Sequence, residues 1–330
     1  MRAEIQTAET NSMLELHIYT EGDQQRGLGH LSRCSAYAAA WRQLGGTVQW
    51  IVDGDELAQQ FLQTEKVTWQ TWQEKPDEII PTNGFAIVDS YSAPQLLLQK
   101  ISDSFIRVVY IDDTYRLPYP RGYVIHSSPN KKEYANGQAD WLIGLQWHPL
   151  RPAFWSVPKR TDVAKKIKNI LVVMGATDIR HMVPLIIRLV RSKYPDSEIH
   201  VISSKSNLKF SNEYIIHANL NDVQMANLMC KCDLAISAAG QTTYEIAIRG
   251  LPAIFICLID NQINQFDWWK ENNIYPDGIW WNDYFIEEKI ITSLEKMASP
   301  NYRLKIAEAA QTVMNNRGIT NLFQLLTEKK

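Results

Sequence analysis

Arg26-Gly27-Leu28-Gly29-His30-Leu31-Ser32-Arg33-Cys34 follows shortly after an apolar, strand-like run from Leu14 to Tyr19. A Gly-x-Gly-His turn between a strand and a helix does two things at once. Gly27 and Gly29 let the backbone come close to a ligand with no Cβ in the way, and the N–H groups at the helix start point at an anion such as phosphate. His30 stands at the mouth of that turn, where the positive end of the helix dipole disfavours imidazolium and leaves a ring able to take a proton from water. The stretch predicts a nucleotide-type ligand with a proton acceptor beside it. On its own, a glycine pair is equally a tight turn and a single histidine a structural residue, so the rest of the chain has to decide.

The 330 residues are 45% hydrophobic and 21% charged, the balance of a folded globular protein with room for two ordinary domains. A net charge of −2 gives no basic surface for DNA or RNA. Cys34, Cys230, Cys232 and Cys257 have no histidine or cysteine cluster that completes a zinc site, and they read as free thiols of a reducing compartment. Met1 to Ser12 is polar, and no apolar run reaches about 18 residues. Neither export nor a membrane span is expected, and the expected location is the cytoplasm.

From the opening motif the chain alternates short apolar runs with helical stretches. Strands are expected over residues 14–20, 47–52, 85–89, 107–112 and 123–126, with helices over 31–44, 55–63 and 94–102. The polar passage from Pro149 to Lys168 interrupts this rhythm with three prolines and the run Lys165-Lys166-Ile167-Lys168. Beyond it the alternation restarts, with strands over 169–174, 198–202, 214–217, 233–237 and 253–257. Helices follow over 182–192, 222–231, 242–249 and 262–271, and three more close the chain. The expected organisation is an N-terminal Rossmann-like domain over 13–150, a linker over 151–168 and a C-terminal nucleotide-binding domain over 169–330. Two doubly wound α/β domains would then face one interdomain cleft, with ligands at the carboxyl ends of the strands.

The second half carries its own motif, Asp233 to Gln262. Its strand runs into Ala238-Ala239-Gly240, residues small enough for close approach by a ligand. Gln241, Thr242 and Thr243 supply donors for a pyrophosphate at the next helix start. Glu245, on the first turn, is placed to accept ribose hydroxyls, or simply to complement the helix dipole. Asp260-Asn261-Gln262 ends the following strand, where Asn261 reads either as a site residue or as a helix cap.

In order along the chain come Gly27-Leu28-Gly29-His30 with Arg33-Cys34, Val88-Asp89-Ser90-Tyr91, Ile111-Asp112-Asp113 and Leu142-Ile143-Gly144. Leu150-Arg151-Pro152 with Phe154, Gly240 to Glu245, Asp260-Asn261-Gln262 and Asn316-Arg317-Gly318 follow. This ordered set resembles the nucleotide-sugar enzymes of the GT-B fold. More narrowly, it resembles the UDP-2,4-diacetamido-2,4,6-trideoxy-β-L-altropyranose hydrolases of pseudaminic acid biosynthesis. One departure stands out: similar proteins open the second domain with Gly-Gly-Ser-Asp, where this chain has Gly175-Ala176-Thr177-Asp178. The extra Cβ of Ala176 narrows that phosphate turn, while Thr177 keeps a hydroxyl.

The resemblance implies hydrolysis of a UDP-sugar to UDP and the free sugar, with C1–O cleavage and anomeric inversion. It makes His30 the general base, with Tyr91 and Asn261 positioning the sugar or the water. It assigns Gly27, Gly29, Arg33, Thr177, Gly240, Gln241, Thr242 and Gln262 to substrate and nucleotide, and Glu245 to the ribose. The scheme requires no metal or other cofactor, and Asp112-Asp113 reads as a loop cap ahead of a Mg²⁺ site. Two other readings use the same residues. In a GT-B glycosyltransferase with a UDP-sugar donor, His30 would deprotonate an acceptor hydroxyl; in a non-catalytic binder, UDP-sugars would be held without turnover. The tryptophan pairs Trp268-Trp269 and Trp280-Trp281 read as packing residues.

Overall fold

The computed structural model describes residues 15–129, 137–175, 178–203, 213–218, 220–314 and 317–328. Its first half runs β1 (Leu16–Gly22), α1 (Gly29–Gln43), β2 (Val48–Gly54), α2 (Glu56–Phe61), β3 (Val67–Trp69), β4 (Phe85–Asp89), α3 (Gln95–Ser104), β5 (Arg107–Ile111), β6 (Tyr123–His126) and β7 (Asp140–Ile143). The second half runs β8 (Asn169–Val173), α4 (Met182–Lys193), β9 (Glu198–Ile202), β10 (Ile215–His217), α5 (Asp222–Lys231), β11 (Leu234–Ala238), α6 (Thr242–Ile248), β12 (Ala253–Cys257), α7 (Ile263–Glu271) and β13 (Ile279–Trp280). Helices α8 (Ile286–Met297), α9 (Pro300–Val313) and α10 (Gly318–Thr327) complete it.

The described strands form two sheets, β3-β2-β1-β4-β5-β6-β7 and β10-β9-β8-β11-β12-β13, and every pairing in both is parallel. Parallel strands covered on both faces are buried on both sides, which is why β4, β11 and β12 are buried along their whole length and mostly apolar. In each sheet the strand order reverses beside the first strand of that half, between β1 and β4 and between β8 and β11. The loops leaving the carboxyl ends of neighbouring strands diverge there to opposite faces, and the crevice between them takes a ligand.

Two cores flank the first sheet. Leu31, Cys34, Ala38 and Trp41 of α1 pack on one face, and Leu97, Leu98 and Ile101 of α3 on the other. The second sheet carries a single large core. Among the described residues, no helix is long and apolar enough to cross a membrane.

Packing departs from the expected boundaries in two places. The linker expected over 151–168 is packed at both ends, with Phe154 and Ile167 buried in the second core, and Leu150, the last residue of the expected first domain, is buried in that core as well. The last helix also leaves the expected unit 169–330. Ile319, Leu322, Phe323 and Leu326 of α10 belong to the first-domain core, with the Phe323 ring 5.0 Å from that of Trp41. Arg107, at the start of β5, donates to the carbonyls of Leu325 and Leu326 at 2.6 Å each and to that of Glu328 at 2.7 Å. A guanidinium on the last carbonyls of a helix satisfies acceptors that have no partner within it. Gly318 starts this return, and a Cβ there would lie 2.2 Å from the carbonyl oxygen of His148, which requires glycine.

Candidate active site

The turn after β1 is built by its own acids. Asp23 Oδ1 accepts the N–H groups of Gln25 at 2.8 Å and Arg26 at 2.6 Å, and the Asp23 carbonyl accepts that of Gly27 at 2.8 Å. The chain then passes through φ +78° at Gly27, a conformation that favours glycine. Below it, the buried Glu21 carboxylate accepts from Ser90 Oγ at 2.8 Å, Tyr91 N–H at 2.7 Å and Gln73 Nε2 at 2.8 Å, and also from Ser92 Oγ. Burial pushes that carboxyl up, but the donors outweigh it and hold it below the usual carboxylate range. One carboxylate thereby fixes both loops, after β1 and after β4, at the first switch point.

His30 is the second residue of α1, and its Nδ1 lies 2.6 Å from Oδ1 of Asp89, the last residue of β4. Arg33, one turn along α1, grips the same carboxylate with Nε to Oδ2 at 2.5 Å and Nη2 to Oδ1 at 2.6 Å. Burial alone would raise the Asp89 pKa; the charge of Arg33 and the hydrogen bonds from Arg33 and His30 overcome it and hold the carboxyl well below the usual range. Facing an ionised carboxylate, Nδ1 carries its proton and donates. Nε2, on the opposite edge of the ring, is left as an acceptor.

A second carboxylate extends the network. Asp113 takes a hydrogen bond from Arg33 and one from Tyr91 Oη at 3.1 Å. Burial raises its pKa and Arg33 outweighs that, holding it low. The Tyr91 and His30 rings meet edge to face at 4.6 Å. From the other domain, Asn261 Nδ2 reaches Tyr91 Oη at 3.5 Å, and Asn264 Nδ2 donates to the Asp113 carbonyl at 2.8 Å. His30, Tyr91 and Asn261 are therefore adjacent, although 170 positions separate the last two in the chain. Asp112 caps its own turn, accepting from Thr114 N–H at 2.7 Å and Arg116 N–H at 2.6 Å.

Facing this cluster, the ends of β8 and β11 form the opposite wall. Gly240 leads into α6, with the Gln262 amide 3.4 Å from where a Cβ on it would stand. Gln262 is fixed by accepting the Leu258 N–H at 2.9 Å. The start of α4 is occupied by Asp178, which accepts from Met182 N–H at 2.9 Å and Val183 N–H at 3.1 Å. Ala176 and Thr177 lie outside the described residues.

Between the two walls is a cavity of about 360 Å³. Gly27, Gly29, His30, Arg33 and Tyr91 line it from the first domain, and Gly240, Gln241, Thr242, Asn261 and Gln262 from the second. Glu245 does not line it. Its carboxylate is turned onto Arg151, with Nε to Oε1 at 2.6 Å and Nη2 to Oε2 at 2.8 Å, and it is Arg151 that reaches the cavity. A first-turn carboxylate within reach of a guanidinium takes the two-pronged pairing that their shapes match.

Sequence reading missed the parts played by Asp89, Asp113 and Arg151. All three stand in the quoted motifs. The available signal was position, since Asp89 closes the strand next to β1 and a strand-end carboxylate at a switch point faces the ligand crevice.

No family model matches the chain. It is 24% identical over 246 residues to the pseudaminic acid cytidylyltransferase and UDP-2,4-diacetamido-2,4,6-trideoxy-β-L-altropyranose hydrolase of Helicobacter pylori. That alignment covers 72% of this chain and 43% of the relative, so the chain spans less than half the length of that protein. It is 22% identical to the spore coat polysaccharide biosynthesis protein SpsG of Bacillus subtilis, covering 96% of this chain and 98% of the relative. Among solved structures, Acinetobacter baumannii MurG superposes with a TM-score of 0.62 at 12% identity, over 96% of this chain and 100% of that one. The fold is GT-B. In a GT-B protein the two switch points face each other, and here they enclose the cavity that holds His30, Tyr91 and Asn261.

Proposed function

We propose that this chain hydrolyses a UDP-sugar to UDP and the free sugar by attack of water at the anomeric carbon. The substrate proposed is UDP-2,4-diacetamido-2,4,6-trideoxy-β-L-altropyranose, which places the enzyme in pseudaminic acid biosynthesis. The observation that carries this reading is the His30–Asp89 pair in the wall of the cleft. With Nδ1 committed to a carboxylate, His30 Nε2 takes the proton of a water aimed at C1. Asp89 keeps the ring in that tautomer and stabilises the imidazolium that forms. Tyr91 and Asn261, hydrogen-bonded to each other across the cleft, orient the sugar and the water. Gly240, Gln241 and Thr242 receive the diphosphate, which departs as the C1–O bond breaks with inversion. The similarity to the Helicobacter pylori protein supports the same substrate.

A second reading, a GT-B glycosyltransferase, has one observation in its favour. Phe61 and Ile179, 38% and 43% exposed, stand with Leu28 along the cavity and offer an apolar seat to an acceptor. Incubation with the UDP-sugar alone separates the two. The hydrolase releases UDP and free sugar without any acceptor; a transferase releases UDP only when one is added.

A further inference from the structure

Tyr91 Oη and Asn261 Nδ2 meet across the cleft, and the direction of that contact is decided on the other side of the phenol, by Asp113. Asp113 follows β5, and its Oδ2 accepts from Arg33 Nη1 and, at 3.1 Å, from Tyr91 Oη. An ionised carboxylate accepts only, so the phenol is the donor. Burial, with the Asp113 charge adding to it, pushes the Tyr91 hydroxyl well above its ordinary range, and the proton stays on Oη. With that proton committed to Asp113, Oη has only lone pairs left for the cleft.

Asp113 also touches the second domain. Its carbonyl accepts from Asn264 Nδ2 at 2.8 Å. Asn264 belongs to α7, and Asn261 to the turn that leads into it. The segment that offers an amide to Tyr91 therefore also holds the backbone of the residue that orients Tyr91.

We propose that Asp113 is a positioning residue: by taking the Tyr91 proton it presents Oη to the cleft as an acceptor, which selects an N–H or O–H donor on the sugar. This rests on the hydrolase reading, in which Tyr91 orients the sugar, and adds to it the polarity of that contact. The acetamido groups of the proposed substrate carry such N–H donors. A phenol free to rotate would turn its own proton toward them, and two facing donors make no bond. No proton leaves Tyr91 in this role: Asp113 stays ionised and the phenol stays neutral throughout.

Steady-state release of UDP from the UDP-sugar by wild type, Asp113→Asn, Tyr91→Phe and the double variant tests the assignment. Asp113→Asn removes the charge at nearly constant shape, and kcat is expected to fall about 10- to 100-fold, the range for a hydrogen bond to a charged group. UDP, which lacks the sugar that Tyr91 orients, should bind as tightly as it does to wild type in calorimetry. In the Tyr91→Phe background the same substitution should cost no more than about twofold, because no phenol is left to orient. A loss transmitted through Arg33 would persist undiminished in that background. Asp113→Glu keeps the charge and falls between Asp113→Asn and wild type, and it reads the same cycle should Asp113→Asn fail to fold. Losses that multiply in the double variant overturn the role given to Asp113 while the hydrolase reading stands. A wild-type protein that releases no UDP from the UDP-sugar overturns that reading and this inference with it.

Discussion

His30 Nδ1 and Asp89 Oδ1 stand 2.6 Å apart although 59 positions separate them in the chain, because α1 leaves β1 and β4 pairs beside it. The pairing gives the imidazole one proton-bearing edge and one accepting edge. His30→Ala should lower turnover about 10²–10⁴-fold, the usual cost of removing a general base. UDP affinity should stay within a few-fold of wild type, because the proposed mechanism gives the ring no contact with the nucleotide. Turnover near the wild-type rate would remove His30 from the chemistry.

Asp89→Asn keeps the shape of that carboxylate and removes its charge. The expected result is a large fall in kcat with little change in KM, since the amide lets the ring adopt the wrong tautomer and leaves Arg33 facing a neutral partner. Steady-state kinetics at neutral pH measure it. A variant that changed KM alone would make Asp89 a binding residue.

Solvent oxygen reports which bond breaks. In ¹⁸O-labelled water, attack at C1 places the label in the released sugar and none in UDP, whereas attack on phosphorus does the reverse. Mass spectrometry of both products gives the answer, and label in UDP would overturn the proposed mechanism.

Stability should fall on the acid side in two stages. His148 is buried and neutral, stacked on Tyr244 at 3.7 Å, and burial lowers its pKa to about 3. The unfolded chain binds that proton from about pH 6.5 downward and the folded one does not, so stability declines as pH falls through this window. His200 and His217, also lowered by burial, add to the same limb. Glu21, Asp89 and Asp113, held below the carboxylate range, keep their contribution above about pH 4 and lose it below. Urea unfolding from pH 8 to pH 3 should show both slopes, and His148→Gln should flatten the upper one. An unaltered upper slope in that variant would remove His148 as its source.

Phe323→Ala should destabilise the first domain by about 3–5 kcal/mol, the range for deleting a buried phenyl ring. The ring is 3% exposed and packs on Trp41 and Tyr37. Tryptophan fluorescence during urea unfolding would follow it, and a loss under about 1 kcal/mol would contradict the packing described.

Much of this architecture is legible in the sequence because buried parallel strands are continuous apolar runs. β4, β6, β9 and β12 occupy the stretches read as Phe85–Asp89, Tyr123–His126, Glu198–Ile202 and Ala253–Cys257. β3 and β13, of three and two residues, are too short to carry a pattern. The periodicity of α10 announces an apolar face but not which sheet receives it, and that depends on a return of the chain that only tertiary packing decides. His30, Tyr91 and Asn261 were readable as separate motif residues. The contacts that tie them together through Asp89 and Asp113 were not, because a contact between distant positions leaves no local periodicity. Glu245 was readable as a carboxylate near a ligand; its engagement by Arg151, 94 positions away, was not.

The return of α10 also decides how the cleft works mechanically. The backbone passes from one domain to the other near residues 144–150; Met314 is the last residue in the second core and Ile319 lies in the first, and this return touches the first passage where Gly318 meets His148 and where Asn321 donates to the Gln146 carbonyl at 3.2 Å. They form a spine like that of a book, with Tyr91 and Asn261 on facing pages. Rotation about such a spine would need only small dihedral changes at the fold line and would widen the space between the pages. A substitution at Gly318, on that fold line and outside the residues that line the cavity, would therefore alter the angle between the walls of the cleft without removing any contact inside it.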